Sequence, residues 1–256
     1  MLTRTRHALA EIGSHALFIG KFFRGIFVPP YEFRQIVRHI DELGALSLPL
    51  TLVINFIMGL ILAMQARPTM VRFGATAFIP ALVTRSLTIE LAPVITALVV
   101  AGRVASGIAA ELGSMKVTEQ IEAMECSGIN PYRYLVIPRV IALVILMPLL
   151  TLCADFIGIF GSYIAEYIAT GATTEYYYSQ VIDSLYFTDV MPGVFKTAFF
   201  GFAIAMIGCY KGFHVGGGTE GVGKATTGAV VLSSFWILVI DMIMVKLIIT
   251  YFPDPF

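Results

Sequence analysis

The stretch LSLPLTLVINFIMGLILAM, residues 46–64, contains nineteen residues and no charged side chain. At a rise of about 1.5 Å per residue, a helix of this length crosses the roughly 30 Å hydrocarbon core of a bilayer. The whole chain has a similar character, because 57% of its 256 residues are hydrophobic and 13% are charged, with a mean hydropathy of +0.84. A soluble globular chain carries roughly a quarter charged residues. The sequence therefore predicts an all-α membrane protein.

Four further apolar stretches are long enough to cross a membrane. With the first stretch they give five spans, at about residues 46–64, 78–102, 136–164, 190–210 and 229–252. They predict one five-span membrane domain over residues 46–256. Five spans place the two termini on opposite sides. They cannot divide into two equal halves, which argues against the inverted-repeat secondary transporters.

Residues 1–45 are predicted to form amphipathic helices that lie in the headgroup plane rather than cross the membrane. Lys21 and Arg24 sit among apolar and aromatic residues at helical spacing, a pattern typical of interfacial helices. The proline pair at 29–30 breaks the first helix, and Gly44 is predicted to end the second. The alternative is a pair of ordinary helices packed on protein.

The distribution of lysine and arginine predicts the orientation. The segment before span one and the loops after spans two and four contain twelve of these residues, whereas the opposite side contains two, Arg67 and Arg72. Because cytoplasmic flanks are enriched in lysine and arginine, we expect a cytoplasmic N-terminus and a C-terminal tail outside. Basic and acidic residues number seventeen each, so the net charge gives no sign of a nucleic-acid partner.

The loop after span two contains the most informative stretch, AELGSMKVTEQIEAMECSG at residues 110–128. Its apolar residues at 117, 121 and 124 form one ridge, which predicts a short amphipathic helix over about residues 114–127. Ser114 is the expected N-cap, and Gly128 ends the helix. A compact charged helix between two spans is suited to docking a cytoplasmic motor. A solvated connecting helix is the alternative.

Two other functional classes fit the sequence less well. A membrane-embedded hydrolase or metalloenzyme lacks the residues, because the four histidines lie outside the spans and form no close metal-ligand motif. We therefore expect no catalytic residue, metal or cofactor. Gly218–Lys224 matches the spacing of a phosphate-binding loop, but Ala225 stands where such a loop needs serine or threonine. A purely structural scaffold would not require the charged helix.

Ionisable residues inside apolar runs are costly and indicate pairing or function. The acidic ones are Glu90, Asp155 and Asp241. For Glu90 and Asp241, the sequence leaves open buried pairing, conformational coupling and simple hydrogen bonding. Lys196 and Lys246 lie near span ends, where a long side chain can extend to the headgroups.

An ordered series of motifs runs through the middle of the chain. It comprises ELAPV at 90–94, AGR at 101–103, AELGSMKVTEQ at 110–120, GINP at 128–131 and PR at 138–139. The series resembles the MlaE/YrbE permease family of MCE-associated lipid ABC transporters, over roughly residues 46–249. The arginine that usually precedes the glutamate in this family is Ile89 here. The sequence leaves open whether Arg85, one turn earlier, replaces it.

The resemblance implies a non-catalytic permease homodimer in the bacterial inner membrane, with a cytoplasmic N-terminus and a periplasmic C-terminus. It also implies separate ABC ATPase subunits and a periplasmic MCE-domain subunit that carries phospholipid or a related lipid, with or without a small cytoplasmic STAS-domain subunit. Such systems serve outer-membrane lipid asymmetry. The expected ATPase-coupling residues are Glu111, Gly113, Lys116, Glu119, Gln120 and Glu122. The direction of transport and the lipid class are left open.

The outer end of span one is the expected lipid contact. The candidate residues are Leu60, Met64, Gln65, Arg67 and Met70. Flexible methionines suit variable acyl chains, and the guanidinium of Arg67 suits a phosphate. The alternative is that these side chains face bulk lipid or another helix.

Overall fold

All regular structure in the computed structural model, which describes residues 2–26 and 32–251, is helical. The α-helices are α1 (Leu2–Gly25), α2 (Phe33–Arg72), α3 (Ile79–Ser86), α4 (Ala92–Val100), α5 (Ser106–Val117), α6 (Gln120–Cys126), α7 (Ile137–Thr170), α8 (Thr174–Ser184), α9 (Phe187–Phe213) and α10 (Gly218–Tyr251). The predicted break at prolines 29–30 and the tail at 253–256 lie outside the described residues.

Among the described residues, five helical stretches are long and apolar enough to cross a membrane. They are Phe33–Arg72, Thr76–Val117, Tyr132–Thr170, Val190–Phe213 and Gly218–Ile248. Their number and order agree with the five predicted spans, and the all-helical fold class is confirmed for the described residues. The first three stretches extend beyond their predicted bounds at both ends.

The prediction that Gly44 ends a helix is wrong, because α2 continues through it without interruption. Gly44 is buried, and a Cβ atom added to it would lie 3.0 Å from Cδ1 of Leu146. The glycine therefore serves close packing rather than a helix C-cap. Helical structure is continuous from Phe33 into the first span.

The fifth span begins earlier than predicted, because Gly218–Lys224 forms the first turns of α10. Gly217 and Gly218 have positive φ angles of 83° and 68°, so the turn before α10 uses conformations that favour glycine. Nζ of Lys224 lies 2.7 Å from Oε1 of Glu220, one helical turn earlier. This stretch is a helix start and not a phosphate-binding loop.

In the part of the chain that the structure describes, three segments are π-helical, at Leu87–Leu91, Ala101–Ala105 and Tyr132–Val136. The first two divide the second span, and the third begins the third span. A π segment holds one extra residue in the helix and is frequent at functional sites. Residues of Leu87–Leu91 and of Tyr132–Val136 line two separate cavities.

The chain divides into two compact units. Unit 1 comprises Met1–Asp41, Ala101–Leu143 and Phe202–Ser233, and unit 2 comprises Glu42–Val100, Val144–Gly201 and Ser234–Phe256. In unit 1, Phe18 and Phe22 of α1 are buried, and Phe22 contacts Phe202 at 5.6 Å between ring centroids. The N-terminal helix is thus packed on the rest of its unit.

Small residues bring α2 and α7 together in unit 2. A Cβ atom on Gly59 would lie 1.9 Å from the carbonyl oxygen of Gly158, and one on Gly161 would lie 2.3 Å from that of Phe56. Nothing larger than glycine fits at these positions without moving a backbone. Close backbone approach at small residues is a common way to pack helices in membranes.

Candidate functional site

Three charged side chains of unit 2 cluster around a buried lysine and are here named the charge triad: Glu90, Lys196 and Asp241. The Lys196 side chain is 0% exposed. Its Nζ atom donates a hydrogen bond of 2.7 Å to Oε2 of Glu90 and lies 2.8 Å from Oδ1 of Asp241. The three residues belong to the second, fourth and fifth spans. The charge triad therefore connects three spans by one lysine.

The local sequence explains how Lys196 reaches Glu90. Glu90 lies in the π segment Leu87–Leu91. Gly193 precedes Lys196 by almost one helical turn, and a Cβ atom there would lie 2.7 Å from the carbonyl oxygen of Thr88. The missing side chain lets α9 approach the π segment closely enough for the ion pair to form.

The expectation that Lys196 extends to the headgroups is wrong, because its ammonium group is buried between two carboxylates. The sequence left open three roles for Glu90 and Asp241, and the structure shows both of them in ion pairs with Lys196. Two carboxylates share one ammonium, so removal of the lysine would leave both without their cation. Breaking a buried ion pair in this way is strongly destabilising.

A cavity of about 840 Å³ lies beside the triad in unit 2. Its apolar lining includes Phe78, Leu82 and Ile89, and Arg85 and Glu90 are among its polar residues. The Glu90 side chain is 40% exposed, so the same carboxylate contacts Lys196 and borders the cavity. Arg85 and Ile89 both border this cavity.

Asp155 is not part of the charge triad. It is 5% exposed, and neither of its side-chain oxygens has a hydrogen-bond partner among the residues that the structure describes. The structure therefore assigns it no partner that would explain its burial.

The five lipid-contact candidates on α2 do not form one surface. Leu60 and Met70 pack against a buried cluster that includes Ala63 and Val83. Met64 and Gln65 are exposed.

Arg67 has a protein partner instead of an open position for phosphate. Its Nη1 atom donates to Oε1 of Glu166 at 2.9 Å, and its side chain is 26% exposed. Glu166 was not among the predicted site residues. The signal was available, since a glutamate near the C-terminal end of the third span and an arginine near the C-terminal end of the first carry opposite charges.

The predicted single helix over 114–127 is wrong in its boundaries. Ser114 lies inside α5, and α6 begins only at Gln120. Between them Glu119 has a φ angle of 59°, the left-handed region. One residue in this conformation ends α5 and redirects the chain into α6.

Most of the coupling candidates lie around this junction. Lys116 of α5 pairs with Glu122 of α6, and the hydrogen bond from Lys116 lowers the pKa of the Glu122 carboxyl. Glu119 and Gln120 are exposed at the junction. Ile121 is 3% exposed and anchors α6. The junction is a fixed corner with two polar side chains pointing outward.

The other two coupling candidates have structural partners. Oε1 of Glu111 accepts a hydrogen bond of 2.6 Å from Arg139, which is 3% exposed. A Cβ atom on Gly113 would lie 2.9 Å from Cγ2 of Val215, so this glycine allows close packing within unit 1. Glu111 and Gly113 therefore hold α5 in place.

Comparisons with known proteins agree with this architecture. A family model described as "Permease MlaE" matches residues 36–247. A probable ABC transporter permease protein of Rickettsia felis is 40% identical over 244 residues, which cover 95% of this chain and 94% of the relative.

Two further relatives carry more specific names. The intermembrane phospholipid transport system permease protein MlaE of Haemophilus influenzae is 34% identical over 214 residues, 83% of this chain and 82% of the relative. The chloroplastic protein TRIGALACTOSYLDIACYLGLYCEROL 1 of Arabidopsis thaliana is 32% identical over 213 residues, 83% of this chain and 61% of the relative. With a family model that covers most of the residues, and relatives that match over nearly the whole length, the chain belongs to the MlaE permease family.

Proposed function

We propose that this chain is the membrane-spanning subunit of an ABC transporter that moves phospholipid between the bacterial inner membrane and a periplasmic MCE-domain partner. A separate ATPase subunit supplies the energy, and two copies of the chain form the permease, with the N-terminus of each in the cytoplasm. The name of the Haemophilus influenzae relative supports phospholipid as the cargo.

The observation that carries this proposal is the cavity beside the charge triad. A phospholipid needs an apolar wall for its acyl chains, and each buried methylene is stabilised by about 0.8 kcal/mol. Phe78, Leu82 and Ile89 provide such a wall, and Arg85 is among the polar residues that border it. The exposed part of α2 at Met64 and Gln65 remains a proposed lipid-contact surface.

The charge triad connects the cavity to the fourth and fifth spans through side-chain contacts. Glu90 borders the cavity and binds Lys196, and Lys196 also contacts Asp241 on α10. A change in the position of Glu90 on lipid binding therefore changes the environment of two more spans. Energetic coupling of this kind needs a physical connection between the sites.

The corner between α5 and α6 is the proposed ATPase-docking element. Glu119 and Gln120 are exposed there, whereas Lys116 and Glu122 hold the two helices together. This division of roles leaves Glu119 and Gln120 to contact the partner.

Photo-crosslinking in native membranes tests the lipid cavity. A photoreactive residue at Leu82 or Tyr186, both of which line the cavity, should capture phospholipid in high yield. Phe156 is 76% exposed and serves as the matched control for contact with bulk lipid. We expect ATP, added with the ATPase subunit, to change the yield at Leu82 and Tyr186 and not at Phe156. Equal yields at all three positions, unaffected by ATP, would contradict the proposal.

A further inference from the structure

A second cavity, of about 710 Å³, lies in unit 1 and shares no residue with the cavity beside the charge triad. It is bordered by α1, the end of α6, the turn before the third span and the end of α9. From α1 it is lined by Leu17, Lys21 and Arg24. These positions are four and three residues apart, so they form one stripe along the helix.

The wall of this cavity is fixed by buried contacts. Phe18, beside the stripe, is 7% exposed, and its carbonyl oxygen accepts a hydrogen bond of 2.6 Å from the hydroxyl of Tyr132. The two rings also meet edge to face at 4.8 Å. At the end of α1, a Cβ atom on Gly25 would lie 2.8 Å from Cδ1 of Ile137. The stripe on α1 is therefore held facing a preformed space.

Basic side chains outnumber acidic ones around this space. Lys21, Arg24 and Arg133 line it together with one carboxylate, that of Glu125. Lys21 and Arg24 are exposed, and neither forms an ion pair within the described parts of the chain. Two such cations on one helical stripe are suited to binding a phosphate group.

The apolar surroundings of these cations indicate whether a soluble phosphate or a phospholipid fits this cavity better. Leu17, in the same stripe, is 72% exposed. A soluble anion makes no use of exposed apolar side chains, whereas a phospholipid supplies a phosphate and acyl chains together. Basic and apolar residues on one helix are typical of binding to anionic lipid surfaces.

We propose that the cavity of unit 1 binds the headgroup phosphate of an anionic phospholipid through Lys21 and Arg24, with an acyl chain along Leu17. This lipid is a resident ligand of the N-terminal helix and not the transported cargo. The proposal rests on the proposed membrane location of α1 and is independent of what the cavity in unit 2 binds.

Native mass spectrometry of the purified full chain tests this proposal. The chain is exchanged into nanodiscs of phosphatidylcholine that contain increasing fractions of phosphatidylglycerol, and the phosphatidylglycerol that stays bound on release is counted. The double variant K21Q/R24Q should need about tenfold more phosphatidylglycerol for half-saturation. The variant K211Q/K224Q removes two cations of the same unit outside the cavity and should bind as the parent does. K21R/R24K keeps both charges and should also bind normally.

Three outcomes would overturn the proposal. Unchanged phosphatidylglycerol retention in K21Q/R24Q would show that the cavity does not select this lipid. Displacement of the bound lipid by inorganic phosphate would assign the cations to a soluble anion. Normal retention of phosphatidylglycerol in K21Q/R24Q, together with loss of a copurifying ATPase subunit, would assign the two cations to a protein contact. Photo-crosslinking at Leu82 does not depend on these cations, so failure of this proposal is distinguishable from failure of the proposed transport function.

Discussion

Lys196 and Lys116 each bind a carboxylate from another helix, but in very different surroundings. The Lys196 side chain is 0% exposed, whereas those of Lys116 and Glu122 are 35% and 43% exposed. When the Lys116–Glu122 pair opens, water solvates both charges. When the ammonium of Lys196 loses a carboxylate, no solvent is in contact with it to take the place of that partner. Exposed ion pairs contribute little to stability, and breaking a buried one is costly. The same two functional groups can therefore hold three spans together in one region and merely orient a short helix in another.

The largest effect is expected when each lysine is replaced by methionine, which keeps the length of the side chain and removes the charge. K196M should lower the free energy of unfolding by about 3 kcal/mol or more, because the buried carboxylate of Asp241 and the partly exposed one of Glu90 both lose their cation. K116M should lower it by less than about 1 kcal/mol. Denaturant titration of the purified variants in detergent measures both. Similar losses in the two variants would refute the difference between the regions.

A smaller effect is expected at Gly193, which makes room for the charge triad. In G193A the new methyl group meets the carbonyl oxygen of Thr88 at 2.7 Å, so α9 has to shift, at a cost of about 1–3 kcal/mol. G223A is the matched control, because nothing lies within 4 Å of a Cβ atom at that helical position. Alanine should stabilise the helix there by up to about 1 kcal/mol. The same unfolding titration should give shifts of opposite sign, and equal shifts would show that the close approach is not needed.

The smallest effect on stability is expected at Glu119, together with a large effect on function. E119K reverses an exposed charge at the corner of α5 and α6 and should change the free energy of unfolding by about 0.5 kcal/mol or less. Lipid-dependent ATPase activity of the complex should nevertheless be lost, since the partner would meet the wrong charge. E175K reverses an exposed charge on α8 and should retain activity. Full activity in E119K would remove this corner from the proposed docking surface.

The five spans could be predicted because each depends on a property of a continuous stretch, its length and its lack of charge. The helix ends could not be predicted as well. Gly44 has the local character of a stop signal, but α2 continues through it and packs close to Leu146, about a hundred residues away. Gly218–Lys224 contains residues of low helix propensity, and the helix forms there all the same.

The candidate sites also have one part that the sequence predicts and one part that it does not. Glu90 and Asp241 could be singled out because a carboxylate in an apolar run needs an explanation. The pairing with Lys196 could not be predicted from the position of the lysine in its own span, because it depends on which opposite charges the other spans bring near. Arg67 was predicted to contact lipid, and its partner Glu166 also comes from another span. Partner choice between spans is a tertiary property that no single stretch of sequence contains.

The π segment at Leu87–Leu91 gives the second span an unusual mechanical option. It holds one residue more than the neighbouring α-helical turns, and such an excess can pass along a helix by exchanging a few backbone hydrogen bonds. Each residue that the excess passes turns by about 100° around the helix axis and advances by about 1.5 Å. Glu90 sits within this segment, so a migration by a few residues would swing its carboxylate away from Lys196 while both ends of the helix stayed in place. Part of one membrane helix could then rotate about its own axis, without any tilting of the helix as a whole.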